Sequence, residues 1–259
     1  MHSNKNKHVT TIILLLILPL FLLTGCAPKE KQPAAPGVGK PALMWFDATA
    51  NFAMLSHPDS IDYYLEKIKS IGFTHAVVDV RPITGEVLWE SALAPRMTEW
   101  KGFTRDTTFD FLGYFIEKGH KLGLEVHASL NVFVAGHNYH DRGQIYDGHP
   151  EWASMVYTPG GEIIPITEQK QKYSAMVNPI EPTFREHILG VLKEVVAKYP
   201  GLDGLILDRV RYDGIMADFS DLSLSEFEKY LGEPLERFPE DIYAWQDKGS
   251  LGVDYLPGK

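Results

Sequence analysis

From Ala42 onward the chain alternates two hydrophobic rhythms: short continuous apolar runs, and longer stretches with an apolar residue every three or four positions. The runs are ALMWFD (42–47), HAVVDVR (75–81), LEVHASLNV (124–132) and the GLILD of 204–208. Each is short and rich in β-branched or large apolar residues, as buried strands are. Between them the spacing is helical. Ile61, Leu65, Ile68 and Ile71 predict a helix over about 60–71, stopped by Gly72. A second helix is expected over about 109–122, with Thr108 as N-cap and Gly123 as its end. A third follows Thr183, which makes a capping-box pattern with Glu186 and precedes Ile188, Leu192, Val195 and Tyr199 on one face. Ser223 and Glu226 repeat that pattern before Phe227, Tyr230 and Leu231, and a short helix is expected at PEDIYAWQ (239–246).

Near-continuous apolar strands that alternate with helices imply a parallel sheet covered by helices. The helix-to-strand joints are short, at Gly72, Gly123 and Pro200-Gly201, whereas the segments after strands two and three, 82–107 and 133–180, are long. Elaborated loops at strand C-terminal ends are where α/β folds bind ligands. This asymmetry predicts an α/β fold of the (β/α)8 TIM-barrel type, with 42–259 as its N-terminal part, because only four βα units can be counted and closure needs eight. An open four-stranded parallel α/β sheet is the alternative. A half-barrel would expose two apolar sheet edges and be prone to self-association.

The segment before Ala42 has a different pattern. Lys5 and Lys7 precede an apolar stretch from Val9 to Leu23, which is short for a membrane span. It ends in Leu-Thr-Gly-Cys (23–26), which resembles a bacterial lipobox, so 1–25 read as a lipoprotein signal peptide and Cys26 as the lipidated residue. Residues 26–41, rich in Pro, Ala, Gly and Lys, read as a tether. The expectation is a protein of the bacterial cell envelope, held to a membrane by its lipid. Cys26 is the one cysteine, so once acylated it leaves no thiol for a disulfide. The 259 residues carry a formal charge of −9 and show no basic stripe, which excludes a nucleic-acid partner. No phosphate loop, dinucleotide fingerprint or serine elbow is present, so no cofactor is expected.

Each strand delivers polar groups at its C-terminal end: Asp47 and then Asn51 from the first, Asp79 and Arg81 from the second, His127, Ser129 and Asn131 from the third, and Asp208, Arg209, Arg211 and Tyr212 from the fourth. Period-two alternation puts His127, Ser129 and Asn131 on one face. The loop from Phe133 to Tyr157 adds aromatic rings, among them Trp152, suited either to stacking on sugar rings or to packing the loop down. His137 and His140 are spaced three apart without a third ligand nearby in sequence, which is a weak metal signal, and no metal is expected.

Five segments resemble the glycosyl hydrolase-like family 10: VVDVRPITGEVLW (77–89), GHKLGLEVHASLNVF (119–133), HPEW (149–152), VNPIEPTFREHI (177–188) and GLDGLILDRVRYD (201–213). They stand in order over roughly 42–232. The resemblance implies an amylase-class barrel and glycosidase chemistry on an oligo- or polysaccharide, in which two carboxyls flank the scissile bond. It gives Asp208 the nucleophile's place, with Arg81, Arg209 or Arg211 to hold it ionised. Asp47, Asp79, Arg81, His127, Asn131, Trp152, Arg209, Arg211 and Tyr212 would contact the glycan. Ile206 stands where α-amylases carry an arginine, so the chain is not an α-amylase. The acid of that class comes from a fifth strand, and of the carboxylates here, Asp47, Asp79 and Asp213, none is marked as its replacement. Two alternatives stay open: a non-catalytic carbohydrate-binding surface lipoprotein, and an envelope scaffold in which the charges at 208–213 are structural. No protein partner is identifiable.

Overall fold

The structure, a computed structural model, describes residues 40–247 and 253–257. The expected signal peptide, lipidated Cys26 and tether, apart from residues 40 and 41, lie outside the described residues. No described helix is long and apolar enough to cross a membrane.

The chain begins with β1 (Leu43–Phe46), α1 (Pro58–Ser70) and β2 (His75–Arg81). A small hairpin of β3 (Glu99–Trp100) and β4 (Phe103–Thr104) leads into α2 (Phe111–Lys121) and β5 (Glu125–Asn131). A long excursion after β5 contains β6 (Val134–His137), α3 (Gln144–Asp147), β7 (Met155–Tyr157), β8 (Ile163–Pro165) and β9 (Ser174–Met176). Here β6 pairs with β9, and β7 with β8 around the turn at Thr158–Glu162. Next come α4 (Pro182–Lys198), β10 (Gly204–Asp208) and α5 (Asp221–Leu231), and then β11 (Tyr243–Asp247) and β12 (Val253–Pro257).

The central sheet has the order β1-β2-β5-β10, all parallel. Strands are added in sequence order, each beside the last, with no reversal of direction. An open doubly wound sheet has such a reversal, whereas a barrel does not. The fold is therefore α/β of the (β/α)-barrel type.

The register sorts the strand residues onto two faces. One carries Phe46, Ala76, Val78, Val126, Ala128 and Leu130, all buried in one apolar cluster with Ile61 and Leu65 of α1, Phe115 of α2 and Val191 of α4. Phe46 and Phe115 meet edge to face at 5.1 Å. The opposite face carries Trp45, His75, Asp79, Glu125, His127, Ser129, Asn131, Ile206 and Asp208, which the register places side by side. A register shift between Asp79 and Arg81 breaks the alternation of β2: Asp79 stands opposite Ser129, yet Arg81 stands opposite Leu130. One extra residue in β2 thus turns Arg81 onto the apolar face.

Three helix starts differ from the sequence pattern. Pro182 occupies the first position of α4, so the cap falls on Glu181, whose carboxylate accepts from Thr183 N at 2.7 Å and Phe184 N at 3.0 Å. Asp110, rather than Thr108, caps α2 through Gly113 N, and Ser220, rather than Ser223, caps α5. In place of the expected helix at 239–246, residues 239–242 form a turn and Tyr243–Asp247 form strand β11, paired antiparallel with β12. Its alternating aromatics explain this: Tyr243 is buried against Phe219 and Tyr157.

Candidate active site

A cavity of about 240 Å³ opens at the C-terminal end of the sheet, lined by Trp45, Asp47, Thr49, Asp79, Pro82, Ile83, Asn131, His137, Tyr173, Asp208 and Arg209. All four strands contribute, because each ends at this rim. Asp47 organises the turn after β1: its Oδ1 accepts from Thr49 N at 2.9 Å, Ala50 N at 2.6 Å and Thr49 Oγ1 at 3.1 Å. Asp79 is 6% exposed and pushed up to about 7. Burial is the main cause, and the negative charges of Asp47 and Asp208 add to it. The backbone N–H groups of Ala48 and Arg81 act in the opposite direction and are outweighed.

A hydrogen-bonded chain runs from Asp79 across the cavity. Asn131 Nδ2 donates to Arg81 O at 2.9 Å and to Asp79 Oδ1 at 3.4 Å, while Asn131 Oδ1 accepts from Arg209 Nε at 2.8 Å. Arg209 then donates to the Tyr173 hydroxyl and lies 5.2 Å over that ring. Its backbone is left-handed, with φ 52°. For a residue other than glycine that costs roughly 1–3 kcal/mol, and such strain collects at ligand sites. Asp208 is exposed at the rim, and its Oδ1 accepts from Arg209 N at 2.7 Å. His137 is pushed down to about 4, chiefly by burial and then by the neighbouring His140 and Lys101, so it stands neutral beside the carboxylates.

Of the residues singled out from sequence, Asp47, Asp79, Asn131, Asp208 and Arg209 meet around this cavity. Five others lie elsewhere. Arg81, turned by the shift in β2, is wholly buried; it donates to Asn131 O and, at 2.9 Å, to Val134 O. His127 is the third residue of β5, four positions before Asn131 and so about 13 Å from it along the strand, towards the other end of the sheet. Trp152 is 2% exposed, stacked on His149 at 3.8 Å and bonded through Nε1 to Thr183 Oγ1 at 2.8 Å, so neither of its faces is open to a sugar. Arg211 points to solvent and donates to Tyr212 O at 3.1 Å. Tyr212 lines a separate apolar groove with Ile215, Phe219 and Phe227.

Sequence reasoning passes over Trp45 and Tyr173, each 44% exposed beside the carboxylates. Period-two alternation carries a signal for Trp45, two residues before Asp47. No local signal marks Tyr173, which reaches the cavity because β9 returns along β6.

The sequence matches the family described as Glycosyl hydrolase-like 10 over residues 43–249. An S-layer-related protein of Niallia circulans is 33% identical over 221 residues, covering 80% of this chain and 14% of its own length. Glycosyl hydrolase YngK of Bacillus subtilis (strain 168) is 24% identical over 169 residues, covering 64% of this chain and 30% of its own length. The chain thus spans less than a third of the length of these curated relatives. Among solved structures, α-L-fucosidase isoenzyme 2 from Paenibacillus thiaminolyticus superposes with a TM-score of 0.52 at 15% identity, covering 74% of this chain and 26% of the other, which is a likeness of fold. With its order of strands, its rim of carboxylates and a match over most of its length, the chain belongs to the glycosyl hydrolase-like 10 family.

Proposed function

We propose that the carboxylate cavity binds a sugar ring of an oligo- or polysaccharide and cleaves its O-glycosidic bond, with Asp79 as proton donor and Asp208 as the second carboxyl. The observation that carries this reading is the divergence of two carboxyls on one rim: Asp79 is buried and pushed up to about 7, while Asp208 is exposed. Two carboxyls in unlike surroundings, one buried and one facing solvent, divide the roles of glycoside hydrolysis between them. A volume of about 240 Å³ suits roughly one ring, being smaller than the drug-sized range. The exposed faces of Trp45 and Tyr173 offer stacking surfaces for its C–H groups. Asn131 and Arg209 supply donors for hydroxyls.

The protein acts at the bacterial cell envelope, lipid-anchored through Cys26. The lipobox-like Leu23–Cys26 supports this, as does a relative named for the surface layer. The test is turnover and binding measured together on a glycan panel, with intact protein and Asp208→Asn. Loss of cleavage by about 10²–10⁴-fold with binding retained is expected. Binding without cleavage in the unmodified protein would replace hydrolysis by carbohydrate capture, and equal activity in the variant would remove Asp208 from the chemistry.

A further inference from the structure

The sheet carries a second polar cluster at the opposite end from the cavity, where β2 and β5 begin. His75 and Glu125 are the first residues of these adjacent strands and stand directly opposite each other. His127, two residues further along, points from the same face, and its ring lies 5.3 Å from that of His75. Glu125 Oε2 sits between the two imidazoles, 3.1 Å from His75 Nε2 and 3.4 Å from His127 Nε2. One ligand atom from each of the three residues falls within 4.8 Å of the other two.

We propose that His75, Glu125 and His127 form a binding site for one divalent transition-metal ion of the zinc type. Several features point past a simple ion pair. His127 Nε2 is buried and makes no hydrogen bond, although it faces the carboxylate. A buried ring nitrogen without a hydrogen bond carries a desolvation cost that a metal ion would offset. On His75 the other ring nitrogen, Nδ1, lies 2.6 Å from Thr74 Oγ1, the outer bond that orients a ligating imidazole and leaves Nε2 for the ion. Against His127 lies Gly204, where a Cβ would come within 2.6 Å of Nδ1, so this glycine lets the ring lie flat on β10.

The spacing also fits. A tetrahedral ion with bonds of about 2.0–2.1 Å sets its ligand atoms about 3.3 Å apart, and the two nitrogen–oxygen separations, 3.1 and 3.4 Å, bracket that value. Two imidazoles and one carboxylate select zinc, copper, nickel or iron over magnesium or calcium. Three protein ligands leave a fourth position for water, and Glu125, with its side chain 58% exposed, leaves the site a path to solvent. The site is independent of the carboxylate cavity and of its proposed chemistry.

Titration calorimetry with Zn²⁺, on metal-stripped full chain, tests the site. One ion per chain is expected, with a rise in melting temperature on binding. Both effects should vanish in His75→Gln and in His127→Gln. Thr74→Val should weaken binding about tenfold, the size of an outer-shell loss, and His140→Gln should leave it unchanged. Glu125→Gln, at an exposed position, serves if a histidine variant fails to fold, and should also weaken binding. Cobalt substituted for zinc should give a tetrahedral visible spectrum that disappears in the same variants. Absence of saturable binding, or binding unchanged in folded His127→Gln or Glu125→Gln, would overturn the assignment.

Discussion

The two faces of the central sheet are built from the same strands and differ in almost every respect. One is apolar up to the shift that brings in Arg81, is sealed by α1, α2 and α4, and tolerates exchange of its apolar residues so long as volume is kept. The other holds His75, Asp79, Glu125, His127, Asn131 and Asp208, grouped into a carboxylate cluster at one end and an imidazole–carboxylate cluster at the other. A parallel strand with both faces under helices would be apolar throughout. Here only alternate residues obey that rule, and the exceptions are the residues available for chemistry.

Three substitutions test this division. The largest effect is expected on the sealed face. Phe115→Ala removes a ring that meets both Phe46 and Phe111 and should cost about 3–5 kcal/mol in urea unfolding. A loss under about 1 kcal/mol would mean the helices are not what holds that face.

Asp79→Asn should act in the reverse sense. Its carboxyl has a higher affinity for protons in the folded state than in the unfolded chain, so the folded state is penalised as pH rises from about 4 through about 7, and the penalty is complete above that. Asparagine has no proton to lose. The variant should therefore be more stable than the parent at pH 8, by up to about 4 kcal/mol, with little difference at pH 4. It should also lose the activity that, in the parent, falls as pH rises through about 7. Equal stability at both pH values would place Asp79 among ordinary surface acids.

Trp45→Ala, on the polar face, should alter stability by less than about 1 kcal/mol, its ring being 44% exposed. It should weaken glycan binding by about 1 kcal/mol by calorimetry. A large fall in melting temperature would make that ring structural.

Legibility tracks the physical origin of each feature. Strand β2 is readable to the residue, 75–81, because an apolar run between Gly72 and Pro82 has few alternatives. The carboxylates of the rim are readable for the same reason: a polar residue ending an apolar strand stands out. Sequence reasoning misplaces Arg81 and Trp152 because their surroundings depend on distant chain. A register shift turns the first inward, and the return of α4 covers the second with Phe184 and Thr183. It puts His127 at the wrong end, since alternation names a side chain's face and not its height along the strand. The segment 239–246 reads as a helix although Tyr243 and Trp245 alternate, because the pairing that makes a strand of it comes from β12, outside that stretch. The raised affinity of Asp79 for its proton has no local mark at all; it arises first from burial and then from Asp47 and Asp208, which converge on it from distant sequence positions.

The register shift in β2 governs the charge of the rim. Arg81 lies behind Asp79, close enough to act on it electrostatically, yet wholly enclosed among backbone carbonyls. Were β2 paired in regular register with all its residues kept, alternation would put Arg81 on the same face as Asp79 and bring a permanent cation to the mouth of the cavity. Asp79 would then be held as an anion and would have no proton to give. A shift of one residue in register thereby sets whether this mouth presents an acid or a salt.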